Sequence, residues 1–121
     1  MIVNNLLLQT SELVRAKITF KRNKNQGIKN KISRGSDFIG ANLRGVDLRG
    51  TNLRGALLIA ADLRGSDMRV TDLIGADLRD ADLSGANLIG SIFLTQAQIN
   101  SAKGDISTNL PPSLSIPKHW L

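Results

Sequence analysis

A five-residue repeat runs without interruption from Ser36 to Thr95 and leaves few backbone conformations open to this chain. Its first residue is always small, its second is Asp or Asn in all units but two, its third is large and apolar, and its fifth is usually Gly. The twelve units read SDFIG, ANLRG, VDLRG, TNLRG, ALLIA, ADLRG, SDMRV, TDLIG, ADLRD, ADLSG, ANLIG and SIFLT.

Neither regular secondary structure gathers a five-residue repeat into one core. An α-helix turns by about 100° per residue, so every fifth side chain would spread around the whole cylinder. A flat strand alternates its faces every two residues, so successive third positions would point to opposite sides. A chain that bends by the same angle after each unit solves this, with positions one and three pointing inward and positions two and four outward. Gly at the fifth position then marks a corner that needs positive φ.

The third positions therefore form the predicted core. Its twelve residues are Phe38, Leu43, Leu48, Leu53, Leu58, Leu63, Met68, Leu73, Leu78, Leu83, Leu88 and Phe93. A coil of four units is favoured because similar residues align at a spacing of twenty, as Arg44 does with Arg64. Twelve units then make three stacked coils, about 15 Å tall.

The fifth position lacks Gly in four units, at Ala60, Val70, Asp80 and Thr95. Residues with a Cβ resist positive φ, and β-branched residues resist it most. We therefore expect these four corners to use a turn without left-handed backbone.

The repeat resembles that of the pentapeptide-repeat family, whose motif is A(D/N)LXX, over the whole of Ser36 to Thr95. The resemblance implies an all-β solenoid, a right-handed quadrilateral parallel β-helix of about three coils. Residues 96–121, with SAKGD, LPPSL and PKHW, are similar to a C-terminal segment that recurs in the family.

Three segments are expected, with residues 36–95 as the β-helix between two flanks. Residues 1–35 are predicted to form an N-terminal capping helix, from about residue 4 to 17, followed by a basic linker. Residues 96–121 are predicted to form an irregular C-terminal cap, because Pro111, Pro112 and Pro117 exclude a central strand. Trp120 and Ile116 are the side chains expected to cover the last coil.

The positive charge is concentrated at one end of the chain. Residues 1–35 carry eight cations against Glu12, whereas residues 36–95 carry six Arg against eight Asp. The basic segment is the candidate partner site, for nucleic-acid phosphates, an anionic surface or an acidic protein. The alternative is a solvated linker. The proposed partner-binding residues are Lys17, Lys21, Arg22, Lys24, Lys29, Lys31 and Arg34.

Catalysis and metal binding have little support in the sequence. There is no Cys, His119 is the single His, and no nucleophile has a base beside it. The outward Asp rows face outward Arg rows, so mutual neutralisation is favoured over a cation or phosphate site. We therefore expect no enzyme activity, no catalytic residues, no metal and no cofactor.

The longest apolar run, Ala56 to Ala61, falls far below the roughly 20 residues of a membrane helix. We therefore expect no transmembrane segment and a cytoplasmic location. Organelle targeting is the alternative, because residues 1–35 are basic with a single acid.

The expected function is a non-enzymatic structural or protein-interaction module whose partner the sequence does not name. The resemblance implies an alternative, since some pentapeptide-repeat proteins mimic DNA, bind type II topoisomerases and give quinolone resistance. Those proteins tend to be strongly acidic, whereas the repeats of this chain are near neutral. The third hypothesis is tethering to nucleic acid or an anionic surface through residues 15–34.

Overall fold

The computed structural model describes residues 35–121 of the chain. The capping helix, the basic linker and the partner-binding residues predicted between positions 4 and 34 lie outside the described residues.

The repeats stack through parallel β-bridges between residues twenty positions apart. The second residue of each unit forms the bridge, as Asp37 does with Leu57 and Asn42 with Asp62. Within residues 35–121 these isolated bridges fall into four columns. The columns are Asp37–Leu57–Asp77, Asn42–Asp62–Asp82–Lys103, Asp47–Asp67–Asn87–Asn109 and Asn52–Asp72–Ile92. One circuit of the chain therefore takes twenty residues and has four sides.

We name the four sides by the residues that form them in residues 36–94. Face 1 consists of residues 36–39, 56–59 and 76–79. Face 2 consists of residues 41–44, 61–64 and 81–84. Face 3 consists of residues 46–49, 66–69 and 86–89, and face 4 of residues 51–54, 71–74 and 91–94.

Each corner is a tight turn between the third residue of one unit and the first residue of the next. The amide of Ala61, for example, donates to the carbonyl of Leu58 at 3.0 Å. The fifth residue of the unit, which is the third of the four turn residues, has positive φ, as at Gly65 with 66°. A hydrogen-bonded turn of this kind, with positive φ at its third residue, has the pattern of a type II turn.

The prediction for the corners without Gly was wrong at three of the four positions. Ala60, Val70 and Asp80 adopt left-handed backbone, with φ of 58°, 52° and 58°, and Thr95 alone follows the prediction with −104°. The reason is the ladder between circuits. The Ala60 amide donates to Arg79 at 2.8 Å, and the Val70 amide to Ile89 at 3.2 Å. Those hydrogen bonds, with the buried residues on either side, outweigh a conformational cost of roughly 1–2 kcal/mol per corner.

The core is a column of side chains from the third positions. Ten of the twelve are buried in the structure: Leu43, Leu48, Leu53, Leu58, Leu63, Met68, Leu73, Leu78, Leu83 and Leu88. Phe38 is half-buried and packs against this cluster. The small first positions also point inward, and Ser66 and Thr71 among them find backbone acceptors for their hydroxyls. Ser66 donates to Leu63 and Thr71 to Met68.

Phe93 does not belong to the core, which corrects the sequence prediction. Its side chain is 49% exposed, and Leu94 is buried instead. The physical reason is a left-handed residue at Phe93 itself, with φ 53°, so the chain turns two residues before the corner expected at Thr95. The early turn sends Phe93 outward and brings Leu94 inward.

The chain after the repeats begins with helix α1, Gln96–Asn100, and ends with a 3-10 helix, Lys118–Trp120. Thr95 is the N-cap of α1 and forms a capping box with Gln98. Between the two helices, Lys103 and Asn109 extend two of the bridge columns. The indole of Trp120 is buried and donates to the carbonyl of Ala102 at 3.0 Å. Ile116 is 39% exposed, so it does not share the covering role expected for both residues.

Candidate interaction surface

The outward second residue of each unit is tied to its own backbone. In residues 35–121, every Asp or Asn at this position accepts a hydrogen bond from the amide two residues later, at 3.1–3.3 Å. These residues are Asp37, Asn42, Asp47, Asn52, Asp62, Asp67, Asp72, Asp77, Asp82 and Asn87. The bond is an Asx-type local contact. It explains why either Asp or Asn is found at this position, since both side chains supply an Oδ1 acceptor.

Where the fourth position is Arg and the second is Asp, the two side chains form hydrogen bonds within the same unit. Arg64 donates from Nε and Nη2 to the two carboxylate oxygens of Asp62, at 2.9 and 2.8 Å. Arg69 pairs with Asp67 in the same way. Such two-point contacts fix the guanidinium plane as well as its position.

Some arginines also reach the next circuit. Arg49 lies 3.1 Å from Asp47 in its own unit and 3.4 Å from Asp67 one circuit on. Arg54, whose own unit carries Asn52, lies 2.9 Å from Asp72 in the next circuit. Asp72 is only 1% exposed, so this pair is the most buried of the described ion pairs. Loss of Arg54 would remove this ion pair from a buried carboxylate and should therefore destabilise the fold.

The ion pairs change the acidity of the carboxylates. The hydrogen bond from the Arg64 side chain lowers the pKa of Asp62 from 3.8 to about 2. The side chain of Arg79 lowers the pKa of Asp77 in the same way. Both carboxylates are therefore ionised near neutral pH, and the described arginines beside them are neutralised locally.

The faces differ in what they present to solvent. On faces 2 and 3 the outward positions hold Asp, Asn, Arg and Ser, with Ile89 as the exception. Face 1 instead has an apolar centre, formed by Ile39, Leu57 and Ile59. Ile39 is 53% exposed, and the other two side chains are half-buried.

Within residues 35–121, no three His, Asp or Glu side chains are placed to hold a metal ion. Nε2 of His119 lies 2.9 Å from the carbonyl oxygen of Ala102, beside the indole of Trp120. In the same part of the chain, no helix has the length and apolar character needed to cross a bilayer.

Sequence reasoning missed the apolar centre of face 1. The signal was present in the unit ALLIA, which has Leu57 where other units have Asp or Asn. Only the twenty-residue register, which stacks Ile39 directly on Ile59, shows that the two residues share a face.

Comparison with known proteins begins with the repeats. A family described as pentapeptide repeats matches residues 36–70 and 56–93, with eight copies. An uncharacterized protein of Bacillus subtilis strain 168, YybG, is 70% identical to the chain over 118 residues. That match covers 98% of this chain and 40% of YybG, so the chain spans well under half the length of this curated relative.

Two solved structures also match, both with low structural overlap. One is a pentapeptide repeat protein from the Arabidopsis thaliana thylakoid lumen, with 26% identity and a TM-score of 0.32. The match covers 79% of this chain and 74% of that one. The other is a pentapeptide repeat protein from the cyanobacterium Cyanothece 51142, also with 26% identity and a TM-score of 0.32. The match covers 69% of this chain and 54% of that one.

Proposed function

Because this chain belongs to the pentapeptide-repeat family through residues 36–93, we propose that it is a non-enzymatic module whose outer faces present fixed side chains to a protein partner. Members of this family fold as right-handed β-helices. In this proposal three circuits, residues 36–95, form the scaffold, and residues 96–121 cap it. The chain's own location is proposed to be the cytoplasm.

The observation that carries the proposal is the restraint on the outward side chains. The second residue of each regular unit is held by a backbone amide, and Arg49, Arg64, Arg69 and Arg79 are each held by an Asp of the same unit. Side chains that are already ordered lose less conformational entropy when a partner binds. A surface of this kind is suited to recognition rather than to chemistry, which needs groups that exchange protons or bonds.

The test is capture of a partner by the full chain, with matched charge variants. Arg64→Glu together with Arg69→Glu reverses the charge on faces 2 and 3, and Lys118→Glu reverses one in the C-terminal segment. A partner that is retained by the Lys118→Glu chain and lost by the double variant supports the proposal. Partners that bind all three chains equally, or a turnover activity that resists purification, contradict it.

A second candidate function rests on the charge of residues 1–35, where eight cations face one acid. We propose that Lys17, Lys21, Arg22, Lys24, Lys29, Lys31 and Arg34 bind a polyanion, such as nucleic acid or an anionic membrane surface. Replacing these seven residues by Gln should abolish retention on a heparin column, whereas Arg64→Gln and Arg69→Gln should not. Unchanged retention of the seven-residue variant would exclude this function.

The DNA-mimic alternative has less support from the described surface. A DNA mimic must present acidic side chains whose charge is not neutralised, in place of phosphates. Here an arginine forms an ion pair with each of four carboxylates, those of Asp47, Asp62, Asp67 and Asp77. A DNA supercoiling assay with a type II topoisomerase tests it directly, and inhibition at a stoichiometric concentration of this chain would restore the alternative.

A further inference from the structure

Burial is uneven around the first circuit, residues 36–55, which has a described circuit on one side only. On faces 1 and 2 its first positions, Ser36 and Ala41, are half-buried. On face 4 the corresponding residue, Thr51, is only 6% exposed. The first circuit is therefore covered mainly on one side.

The corner between faces 3 and 4 shows the same cover from the outside. Gly50 at this corner is buried, whereas the other corner glycines of the described repeats are exposed. Along the same corner Val70 is half-buried and Gly90 is exposed, so the cover decreases away from the first circuit. Stacking alone predicts the opposite order, because a residue of an end circuit has fewer neighbours.

Two matched ion pairs on face 3 measure this cover. Arg49 pairs with Asp47 in the first circuit, and their side chains are 15% and 17% exposed. Arg69 pairs with Asp67 at the same positions one circuit on, and their side chains are 45% and 30% exposed. The second pair has a circuit on either side, yet the pair at the end of the stack is the better covered one.

Face 4 continues the covered region across the corner. The side chain of Arg54 is 15% exposed, and that of Asp72, its ion-pair partner, is 1% exposed. Asn52 is half-buried, whereas Asn42, in the same NLRG sequence on face 2, is exposed. We name the covered region the Gly50 corner; its residues are Asp47, Arg49, Gly50, Asn52, Arg54, Asp67 and Asp72.

The C-terminal segment is not placed to cover the Gly50 corner. It extends the bridge columns through Lys103 and Asn109, which pair with Asp82 and Asn87 of the third circuit. These bridges put it three circuits from the first one, about 14 Å along the stack. The cover therefore comes from the other end of the chain.

Residues 1–34 join the stack beside the Gly50 corner. The amide of Gly35 donates to the carbonyl of Arg54 at 2.9 Å, so Gly35 lies at the far end of face 4 from Gly50. That face is only four residues long, 51–54, and an extended chain advances about 3.3 Å per residue. The five residues before Gly35 are therefore enough to reach Gly50.

The covered groups call for charged partners rather than apolar ones. Asp47, Asp67 and Asp72 each make a further hydrogen bond, ion pair or electrostatic contact besides those described above. Residues 15–34 carry eight cations and no acid, and carboxylates form their strongest hydrogen bonds with such groups. We propose that the Gly50 corner is the docking site of the chain's own basic segment, residues 15–34.

Docking has a consequence for polyanion binding, and this consequence rests on the second candidate function above. Cations that are held by Asp47, Asp67 and Asp72 are not available to a polyanion, which must first displace the segment from the Gly50 corner. The contact is then autoinhibitory, because the carboxylates compete with the phosphate or sulfate groups of the ligand.

The first experiment measures docking without a ligand, through one engineered thiol in a chain that has no native Cys. Asn52→Cys and Asn42→Cys change the same unit position on faces 4 and 2, and each loses the same local hydrogen bond. We expect iodoacetamide to alkylate the Asn52→Cys chain about tenfold more slowly. Equal rates in the two chains would overturn the proposal.

The same pair of thiols is then measured with the cations of the segment replaced by Gln. We expect most of the difference between the two alkylation rates to disappear, and unchanged emission from Trp120 shows that the fold is retained. Protection at Asn52→Cys that survives the replacement would overturn the proposal. The replaced residues are Arg15, Lys17, Lys21, Arg22, Lys24, Lys29, Lys31 and Arg34.

The second experiment changes the docking site instead of the segment. Asp47→Asn together with Asp67→Asn removes two charges from face 3 but keeps the Oδ1 acceptors. The matched control, Asp62→Asn together with Asp82→Asn, removes two charges from face 2 in the same way. Only the face 3 variant should accelerate alkylation of Asn52→Cys. Equal acceleration by both double variants would overturn the proposal.

Heparin retention separates docking from the function on which the consequence rests. The face 3 variant should need more salt than the face 2 variant to leave the column, because its basic segment is released. Faster alkylation with unchanged heparin retention would support docking and would exclude polyanion binding as the function of the segment.

Discussion

At the residue scale, Val70 shows how strongly the ladder between circuits holds the corners. A β-branched residue at φ 52° is costly, and Val70 is half-buried with its Cγ1 over Gly90. The sequence predicted the opposite because it weighed the local preference of each residue alone. The backbone conformation at this corner is decided by hydrogen bonds to residues about twenty positions away. The conformational preference of a single residue carries no information about those bonds.

Val70→Gly should stabilise the protein, because Gly adopts this φ without strain. The substitution removes roughly 1–2 kcal/mol of backbone strain. Part of this is offset by the greater conformational freedom of Gly in the unfolded chain, so the free energy of unfolding should rise by about 0.5–1 kcal/mol. The converse control is Gly75→Val, at φ 68° with open space where its Cβ would lie, which should lose at least about 1 kcal/mol. Urea unfolding of both variants checks the prediction, and destabilisation by Val70→Gly would contradict it.

Gly104 is required for a different reason, which is space. It has no positive φ, but a Cβ there would lie 2.7–2.8 Å from three ring atoms of Trp120. Gly104→Ala should therefore displace the indole, break its bond to Ala102 and cost about 1–3 kcal/mol by overpacking. The fluorescence of the single Trp should shift to longer wavelength. A second substitution, Trp120→Leu, should make the Gly104→Ala change nearly neutral, and a cost that persists would show that the clash is not with the ring.

At the element scale, α1 takes over where the repeat stops. In earlier circuits the carbonyl of the first residue accepts from the next circuit, as Ala56 does from Asp77. For Ala76 the corresponding donor is Ala97, but that residue is already helical. The side-chain amide of Gln98 replaces it and donates to both Leu73 and Ala76 at 2.9 Å. The helix therefore supplies a donor for the Ala76 carbonyl, which has no backbone donor within residues 35–121 at the end of the ladder, and gives the Leu73 carbonyl a second hydrogen bond beside that from the Ala76 amide.

Gln98→Glu tests this replacement with almost no change of shape. The carboxylate keeps an oxygen for the Thr95 amide but loses the NH₂ group that serves Leu73 and Ala76. We expect a loss of about 1–3 kcal/mol, because the Ala76 carbonyl loses its donor, the Leu73 carbonyl keeps only the turn bond from the Ala76 amide, and both face a negative charge. Ala97→Glu, exposed on the same helix, adds the same charge and should change stability little. Equal effects of the two substitutions on the melting temperature would refute the role of the amide.

The element scale also separates what the sequence could predict from what it could not. The column Leu43 to Leu88 followed from the period alone, because no other arrangement gathers every fifth side chain. Phe93 occupies a third position of the repeat but does not lie in the core, because its unit is followed by α1 rather than by another circuit. The role of Gln98 could not be foreseen either, because it depends on which carbonyls remain at the end of the ladder.

At the scale of the whole molecule, the lowered pKa values of Asp62, Asp77 and Asp105 link stability to pH. Their pKa values lie below the value of about 3.9 expected for an unfolded chain, and that of Asp62 is about 2. The ionised carboxylates therefore favour the folded state fully above about pH 4, and this contribution is lost as the pH falls towards 2.

The urea midpoint should accordingly be constant between pH 7 and 5 and fall steadily between about pH 4 and 2. Arg64→Gln removes the main cause of the lowered pKa of Asp62, so its midpoint should depend less on pH over that range. About 1 M salt should flatten the wild-type curve as well, because the pairs are exposed. A wild-type midpoint that rises on acidification would contradict the sign of this linkage.

The spacing of the last bridges decides how far the stack can grow. Earlier partners are twenty residues apart, but Lys103 lies twenty-one after Asp82 and Asn109 twenty-two after Asn87. The extra residues break the regular twenty-residue spacing, so the last layer does not offer a further chain the same pattern of bridges that each circuit offers the next. End-to-end association of copies through this layer is therefore disfavoured.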